Sequence, residues 1–370
     1  MKRVTYIISN IDKATSFEWI VAHINKEKIN LSFILINGEK SFLKNYLQQS
    51  GISVYDIACK KNQKIPFAIF KCFWILKKIK PDVVHCHLFL ANIIGLTGAK
   101  LKGIKSRIYT RHHSDYHHTY FPKSVKWDKY CNFMATKIIS ISDVVSNILM
   151  QKENVIPNKI AKIPHGFDVC KFIGTDDNQI QILKEKYNPQ SKIPVIGVIS
   201  RFTHWKGVQY IIPAYKKLLE KYPDALILLF NAKGDYVKEI DVLLNELPEK
   251  SFQKISFEND IVNLYKIFDV FVHTPMSKNA EAFGQTYIEC MLSGTPLIAT
   301  KSGIGNEIML NRFNCLEVQH QSEEAIYEAL IMLLENEALK RELIKNAKHS
   351  VEEKFSLNKM IDNLEQLYLQ

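Results

Sequence analysis

Two turns of this chain carry residues suited to holding a phosphate group. The first, ISRFTHWKGV (199–208), places Arg201 and Lys206 in a loop that ends at Gly207, where a helix is expected to begin. Two fixed cations beside the free N–H groups and positive dipole end of a helix suit a pyrophosphate. The same residues also read as exposed charges of an ordinary strand–helix connection. The second turn lies in EAFGQTYIECMLSGTP (281–296). There Gly284 lets the backbone approach a ligand closely, and Gln285 and Thr286 begin a helix with unpaired N–H groups. Glu281 precedes that helix and Glu289 lies within it. A carboxylate accepts two hydrogen bonds from a vicinal diol such as a sugar or ribose presents. With 38 acidic residues in the chain, two Glu eight positions apart also fit a solvated surface, so the weight rests on their order after the loop cations.

Histidines mark two further loops, DVVHCH (82–87) and YTRHHSD (109–115). His87, His112 and His113 are the candidates there. In RHHSDYHH (111–118), imidazoles at 112, 113, 117 and 118 with Asp115 could gather zinc. Adjacent histidines rarely point at one centre, so a sugar or acceptor contact is the preferred reading and no metal is expected. Aromatics interleave with lysines in KCFWILKKIK (71–80) and in DYHHTYFPKSVKWDK (115–129). Phe70, Phe73 and Trp74 sit at core spacing, so the first reads as a core helix with a solvated face. The second, with poorer periodicity, reads as an exposed acceptor-side or membrane-surface contact.

The elements that must position these residues alternate along the chain. Short β-branched runs at 4–9, 31–36, 52–57, 82–86, 107–110 and 137–141 predict one series of strands. A second series is predicted at 194–200, 225–230, 269–273, 296–299 and 313–317, with helices at 67–79, 207–221, 285–293, 323–335 and 357–369. Near-continuous apolar strands separated by helices imply α/β architecture with parallel sheets covered on both faces. The break falls in a polar, turn-rich stretch around 163–190. We therefore expect a first doubly wound domain over 1–165, a second over 166–355, and a terminal helix over 356–370 crossing back to the first. Ligands of such sheets bind at the carboxyl ends of the strands, in a cleft that two facing domains would form.

Several classes are excluded. The chain lacks GxxxxGK[ST], and the turn after the first strand, SNIDKATSF, has no glycine, which removes the P-loop and the dinucleotide-binding fingerprint. Apolar residues at 46% and charged residues at 24% exclude bulk disorder. No apolar run approaches the ~20 residues that span a bilayer. Seven widely spaced Cys without a CxxC argue for a reducing cytoplasm. Residues 1–165 hold 26 Lys+Arg against 10 Asp+Glu, whereas 166–370 hold 23 against 28. The first half therefore suits an anionic partner, or simply carries a lysine-rich solvated surface. No nucleic-acid-binding motif accompanies it.

HGFDVCKF (165–172), SRFTHWKG (200–207), FDVFVHTPMSKNAEAFGQTYIE (268–289) and SGTPLIAT (293–300) occur in an order that resembles the retaining, GT-B-fold glycosyltransferases of family GT4. The resemblance implies two Rossmann-like domains, the first binding an acceptor and the second a nucleotide-sugar donor. It assigns Arg201 and Lys206 to the donor diphosphate, Glu281 to the donor sugar and Glu289 to the ribose hydroxyls. Phe283, Gly284, Gln285 and Thr286 match the segment whose amides face diphosphate and sugar. His112 matches the active-site histidine, with His113 its competitor and His87 on the acceptor side. The implied donor is a UDP- or GDP-sugar, with no permanently bound cofactor and no metal requirement. The acceptor is a glycan, a glycolipid or a small molecule, in cell-envelope polysaccharide, lipopolysaccharide or glycolipid synthesis. The setting is cytoplasmic, with the basic half against an anionic inner leaflet and no nucleic acid. A GT-B UDP-sugar epimerase and a catalytically silent GT-B partner subunit are the alternatives. The family's Gly-Gly loop after the first strand is missing from Ser9–Phe17, and the glycine common after the strand at 225–230 is replaced by Asn231 and Ala232.

Overall fold

Short runs of Val, Ile, Leu and Phe form the strands of two wholly parallel sheets. In the first, β1 (Lys2–Ser9), β2 (Ile29–Ile36), β3 (Ser53–Ile57), β4 (Val83–His87), β5 (Ser106–Arg111), β6 (Lys137–Ser140) and β7 (Ile160–Lys162) run in the order β3-β2-β1-β4-β5-β6-β7. In the second, β8 (Val195–Ile199), β9 (Leu226–Phe230), β10 (Phe252–Ile255), β11 (Val270–His273), β12 (Leu297–Ala299) and β13 (Leu316–Glu317) run in the order β10-β9-β8-β11-β12-β13. Every residue of β4, β8, β9 and β11 is buried, as strands covered on both faces require. The computed structural model describes residues 1–174 and 176–370. It divides into two compact units: Met1–Gly166 with Leu357–Gln370, and Phe167–Ser356.

Strand order reverses in each sheet, between β1 and β4 in the first and between β8 and β11 in the second. Connections leave on opposite faces at such a point and open a crevice at the carboxyl ends of the strands. The candidate residues all follow these ends. His87 closes β4, His112 follows β5, Arg201 and Lys206 follow β8, and Glu281 follows β11.

Several expectations need correction. β7 and β10 are absent from the sequence reading; both are short, and no residue of β10 is buried, so neither shows a continuous apolar run. The strand expected over 313–317 shrinks to Leu316–Glu317, because the preceding residues close a turn in which Asn311 bridges Cys315. The supposed linker around 163–190 contains the helices Val169–Ile173 and Asp177–Tyr187. The helix Ile65–Ile79 is also reversed relative to its core reading. Ala68, Cys72 and Leu76 are its buried face, whereas Phe67, Phe70 and Trp74 are 65%, 58% and 48% exposed. Small residues face the helix Phe89–Lys102, where Gly98 lies close to Cys72, so the backbones approach and the large rings turn outward.

The terminal helix Leu357–Leu369 completes the core of the first unit with Leu357, Met360, Ile361, Leu364, Leu367 and Tyr368. Its Tyr368 hydroxyl hydrogen-bonds Tyr6 (2.5 Å) and His85 Nδ1 (2.7 Å). Leu364→Ala should lower stability by about 2–4 kcal/mol in denaturant unfolding, since it empties a buried site shared with β1 and the helix Thr15–His23. An unchanged midpoint would mean that the helix is dispensable to that core.

Candidate functional site

In the second unit, the loop after β8 turns through His204–Lys206 into the helix Val208–Lys221. Gly207 joins them at φ +75°, and a Cβ there would meet the Thr274 carbonyl oxygen at 1.9 Å. Only glycine permits both the left-handed backbone and that contact. The close approach sets Lys206 against the loop that follows β11. Lys206 Nζ donates to Glu281 Oε1, and His273 Nε2 lies 3.1 Å from the same oxygen. The Glu281 backbone N–H donates to Ser302 Oγ (2.9 Å), tying the loop to the end of β12. Burial by itself would push the Glu281 carboxyl up, but Lys206 and His273 outweigh it and hold the group down at about 2. Glu281 is therefore an ionised, positioned carboxylate. Arg201 is exposed and has no ion-pair partner among the described residues.

Gly284 caps the helix Gln285–Ser293 at φ +86°, and a Cβ there would strike the Tyr287 ring at 2.6 Å. The first N–H groups of this nine-residue helix are thereby left without helical partners. Thr286 Oγ1 is buried without a hydrogen-bond partner among the described residues. Phe283 is buried and stacks on Phe167 at 6.3 Å, so it supports the turn from within. Glu289 does not join Glu281. Tyr265 donates to its Oε2 at 2.9 Å, and burial pushes its carboxyl up to about 7, the tyrosine bond opposing this only in part.

Both glycine departures have a physical counterpart. Asn10, after β1, has φ +51°, and Asn231, after β9, has φ +58°. Asparagine is the side chain that best tolerates the left-handed region, so both turns keep the backbone that glycine would supply.

In the first unit the histidines separate. His87 Nδ1 lies 3.1 Å from His112 Nε2, and His112 stacks on His165 at 5.7 Å. Tyr6 stacks on His87 at 5.2 Å, and Phe17 meets its edge. Burial holds His112 near 3 and His165 near 4, and pulls His87 well below the usual imidazole range. These rings are neutral hydrogen-bonding groups at physiological pH. His87 Nε2 is buried and has no partner among the described residues, so one ring nitrogen awaits a ligand or water. These residues line a pocket with Ser16, Ile141 and Met360.

His113 turns away from this group. It faces Asp128 at 3.3 Å, and His117 Nδ1 reaches the same carboxylate at 2.7 Å. Asp115, the carboxylate expected among the histidines, instead pairs with Lys152 at 3.3 Å. Buried Arg111 holds both Asp128 and Glu153, and His118 meets Glu153 at 3.1 Å. Sequence reading missed His273, Tyr265, Asp128 and Glu153. His273 had a signal, as the polar end of an otherwise apolar strand. Tyr265 and Glu153 lie 24 and 42 residues along the chain from Glu289 and Arg111, the groups they meet.

The chain matches two family models. Residues 179–350 match "Glycosyl transferases group 1" and residues 24–171 match "Glycosyltransferase Family 4". It is 26% identical over 355 residues to a UDP-Gal:alpha-D-GlcNAc-diphosphoundecaprenol alpha-1,3-galactosyltransferase of Escherichia coli, covering 90% of this chain and 88% of that one. It is also 26% identical to the capsular polysaccharide biosynthesis glycosyltransferase CapM of Staphylococcus aureus, over 92% of this chain and 90% of the relative. Among solved structures, Anabaena HepE in complex with UDP-glucose superimposes with a TM-score of 0.83 at 18% identity, over 100% of both chains.

Glu289 yields a pH-dependent prediction. The fold raises its pKa from 4.5 to about 7, so its contribution is fully present below 4.5 and is lost as pH rises through 7. Glu289→Gln should leave the melting temperature nearly unchanged at pH 5 and raise it by roughly 2–4 °C or more at pH 8. A calorimetric difference that is the same at both pH values would remove the buried charge from this account.

Proposed function

Since the chain belongs to the group 1, family 4 glycosyltransferases and has their GT-B fold, we propose that it is a retaining hexosyl- or hexosaminyltransferase of cell-envelope polysaccharide, lipopolysaccharide or glycolipid synthesis. It uses a nucleotide-sugar donor, which we assign as a UDP- or GDP-sugar. The observation that carries the reading is the convergence of Lys206 and Glu281 beside the glycine-capped helix Gln285–Ser293. The anomeric carbon–oxygen bond breaks, and the leaving diphosphate gains charge. Arg201, Lys206 and the helix N-terminus stabilise that charge, so the transfer needs no metal. Lys206 is bound to Glu281 before the donor arrives and redirects its ammonium to the phosphate. Phe283, Gly284, Gln285 and Thr286 bring their backbone amides to the diphosphate and sugar. Glu281 accepts donor-sugar hydroxyls, and Glu289 accepts the ribose.

Retention follows from a front-face attack, in which the departing phosphate takes the acceptor proton. Glu281 as a covalent nucleophile is disfavoured because its Oε1 already carries Lys206 and His273. His112 serves the transfer step. His87, with its open Nε2, takes the acceptor side in place of His113, which is committed to Asp128. The E. coli relative acts on a sugar diphosphate carried by a polyprenol, and an acceptor of that kind suits this chain.

No helix of the described residues is long and apolar enough to cross a membrane. The helix Ile65–Ile79 nevertheless presents Phe67, Phe70 and Trp74 beside Lys71 and Lys78, with Lys77 Nζ over the Trp74 ring at 4.5 Å. Rings that enter the headgroup boundary, backed by cations worth about 1 kcal/mol each near an anionic surface, suit peripheral binding to an inner leaflet.

Lys206→Ala should lower turnover ~10²-fold or more, read as UDP or GDP release from a panel of donor sugars with product sugars identified in the same samples. Near-normal turnover would refute the assignment, and epimerised donor without transfer would move the chain to the epimerases. In flotation with vesicles, the wild type should rise with anionic lipid and the triple variant Phe67→Ser, Phe70→Ser, Trp74→Ser should not. Equal recovery with neutral vesicles would remove the membrane from the proposal.

A further inference from the structure

The polar cluster beside His112 has no part in the transfer reading and is unusually built. His113 lies in the loop before the short helix Tyr116–Tyr120 and His117 within that helix, while Asp128 lies in the first turn of the helix Val125–Met134. His113, His117 and Asp128 each offer one ligand atom, and these atoms lie within 4.8 Å of one another. It is the one such group found among the described residues.

Charge makes the cluster incomplete. Asp128 and Glu153 are 3% and 6% exposed, and both depend on the single guanidinium of Arg111, which lies 3.3 Å from Asp128 and 2.6 Å from Glu153. The other groups on Glu153 are the Asn132 amide at 2.6 Å and the His118 ring at 3.1 Å. Two buried carboxylates thus share one guanidinium, and a buried carboxylate is costly without full compensation, which leaves room here for a further cation. The side chains that reach Asp128 from the solvent side are His113 and His117, which are 24% and 13% exposed. An ion could therefore enter and keep water as its remaining ligand.

Packing makes a third, independent point. Neither the helix Tyr116–Tyr120 nor the turn Pro122–Ser124 buries a residue, so this segment adds nothing to the buried core. We infer that His113, His117 and Asp128 bind one divalent cation of the zinc class, which staples 116–124 to the helix Val125–Met134 and so orders the loop that carries His112. Two imidazoles with one carboxylate suit zinc, whereas magnesium and calcium favour all-oxygen shells. The ion is structural, so it stands apart from the charge stabilisation assigned to Arg201 and Lys206.

The test uses the full chain, stripped with chelator and titrated with Zn²⁺ alone, then with Co²⁺. The expected result is one equivalent of Zn²⁺ bound, a visible ligand-field spectrum with Co²⁺, and a melting temperature that rises with free Zn²⁺. His113→Ala and His117→Ala should each weaken Zn²⁺ binding on the order of 100-fold, since even outer-shell changes cost 10–100-fold. His118→Ala, outside the ligand set, should bind Zn²⁺ as the wild type does. Far-UV circular dichroism of the stripped variants separates a lost ligand from a lost fold. Absence of stoichiometric binding, or binding that persists in both His113→Ala and His117→Ala, overturns the site.

Discussion

A carboxylate that leaves water must find charged or hydrogen-bonding partners, and Glu281 is where this constraint organises the second unit. Lys206 and His273 satisfy it, and doing so requires two loops to meet. Gly207 allows that meeting because nothing larger fits against the Thr274 carbonyl. The resulting pair is both a structural clasp and a stored cation. On the proposed reading its ammonium is the one that meets the donor phosphate, the Coulomb attraction to Glu281 being exchanged for attraction to a ligand. Glu289 shows the opposite solution to the same constraint. It has a tyrosine hydroxyl and no cation, and its carboxyl accordingly titrates near neutrality.

The first unit manages polarity by neutralising it. His85, His87, His112 and His165 are all driven by burial toward the uncharged imidazole. Their ring nitrogens are then left to hydrogen bonds: His85 joins Tyr368 to Thr110, and His87 joins His112. The terminal helix enters this network through Tyr368, so the last residues of the chain help orient groups at the carboxyl ends of β4 and β5. The buried charged groups of this unit, Asp128 and Glu153, gather instead around Arg111 at the end of β5.

Parallel topology explains why the candidate residues gather at all. In each sheet the loops at the carboxyl ends of the strands supply them, although in sequence they stand tens of residues apart. The turns tolerate exchange of glycine for asparagine because the requirement there is a backbone angle, which Asn10 and Asn231 meet.

Hydrophobic periodicity was enough to place most strands, since continuous apolar runs have few other folded states open to them, and turn chemistry was enough to mark the loops after β8 and β11. The placement of Arg201, Lys206, Glu281, Gly284 and Glu289 on those loops and the helix that follows was legible for that reason. Short β7 and β10 were not, lacking a continuous apolar signal. Nor was the outward face of the helix Ile65–Ile79, because spacing alone does not say whether rings or small residues pack against a neighbour. Partnership was decided only in three dimensions. That Glu281 takes Lys206 while Glu289 takes Tyr265, and that His112 joins His87 while its neighbour His113 joins Asp128, depends on side-chain direction and on burial. Successive residues leaving a strand point to opposite sides, and a linear sequence does not record what waits on either one.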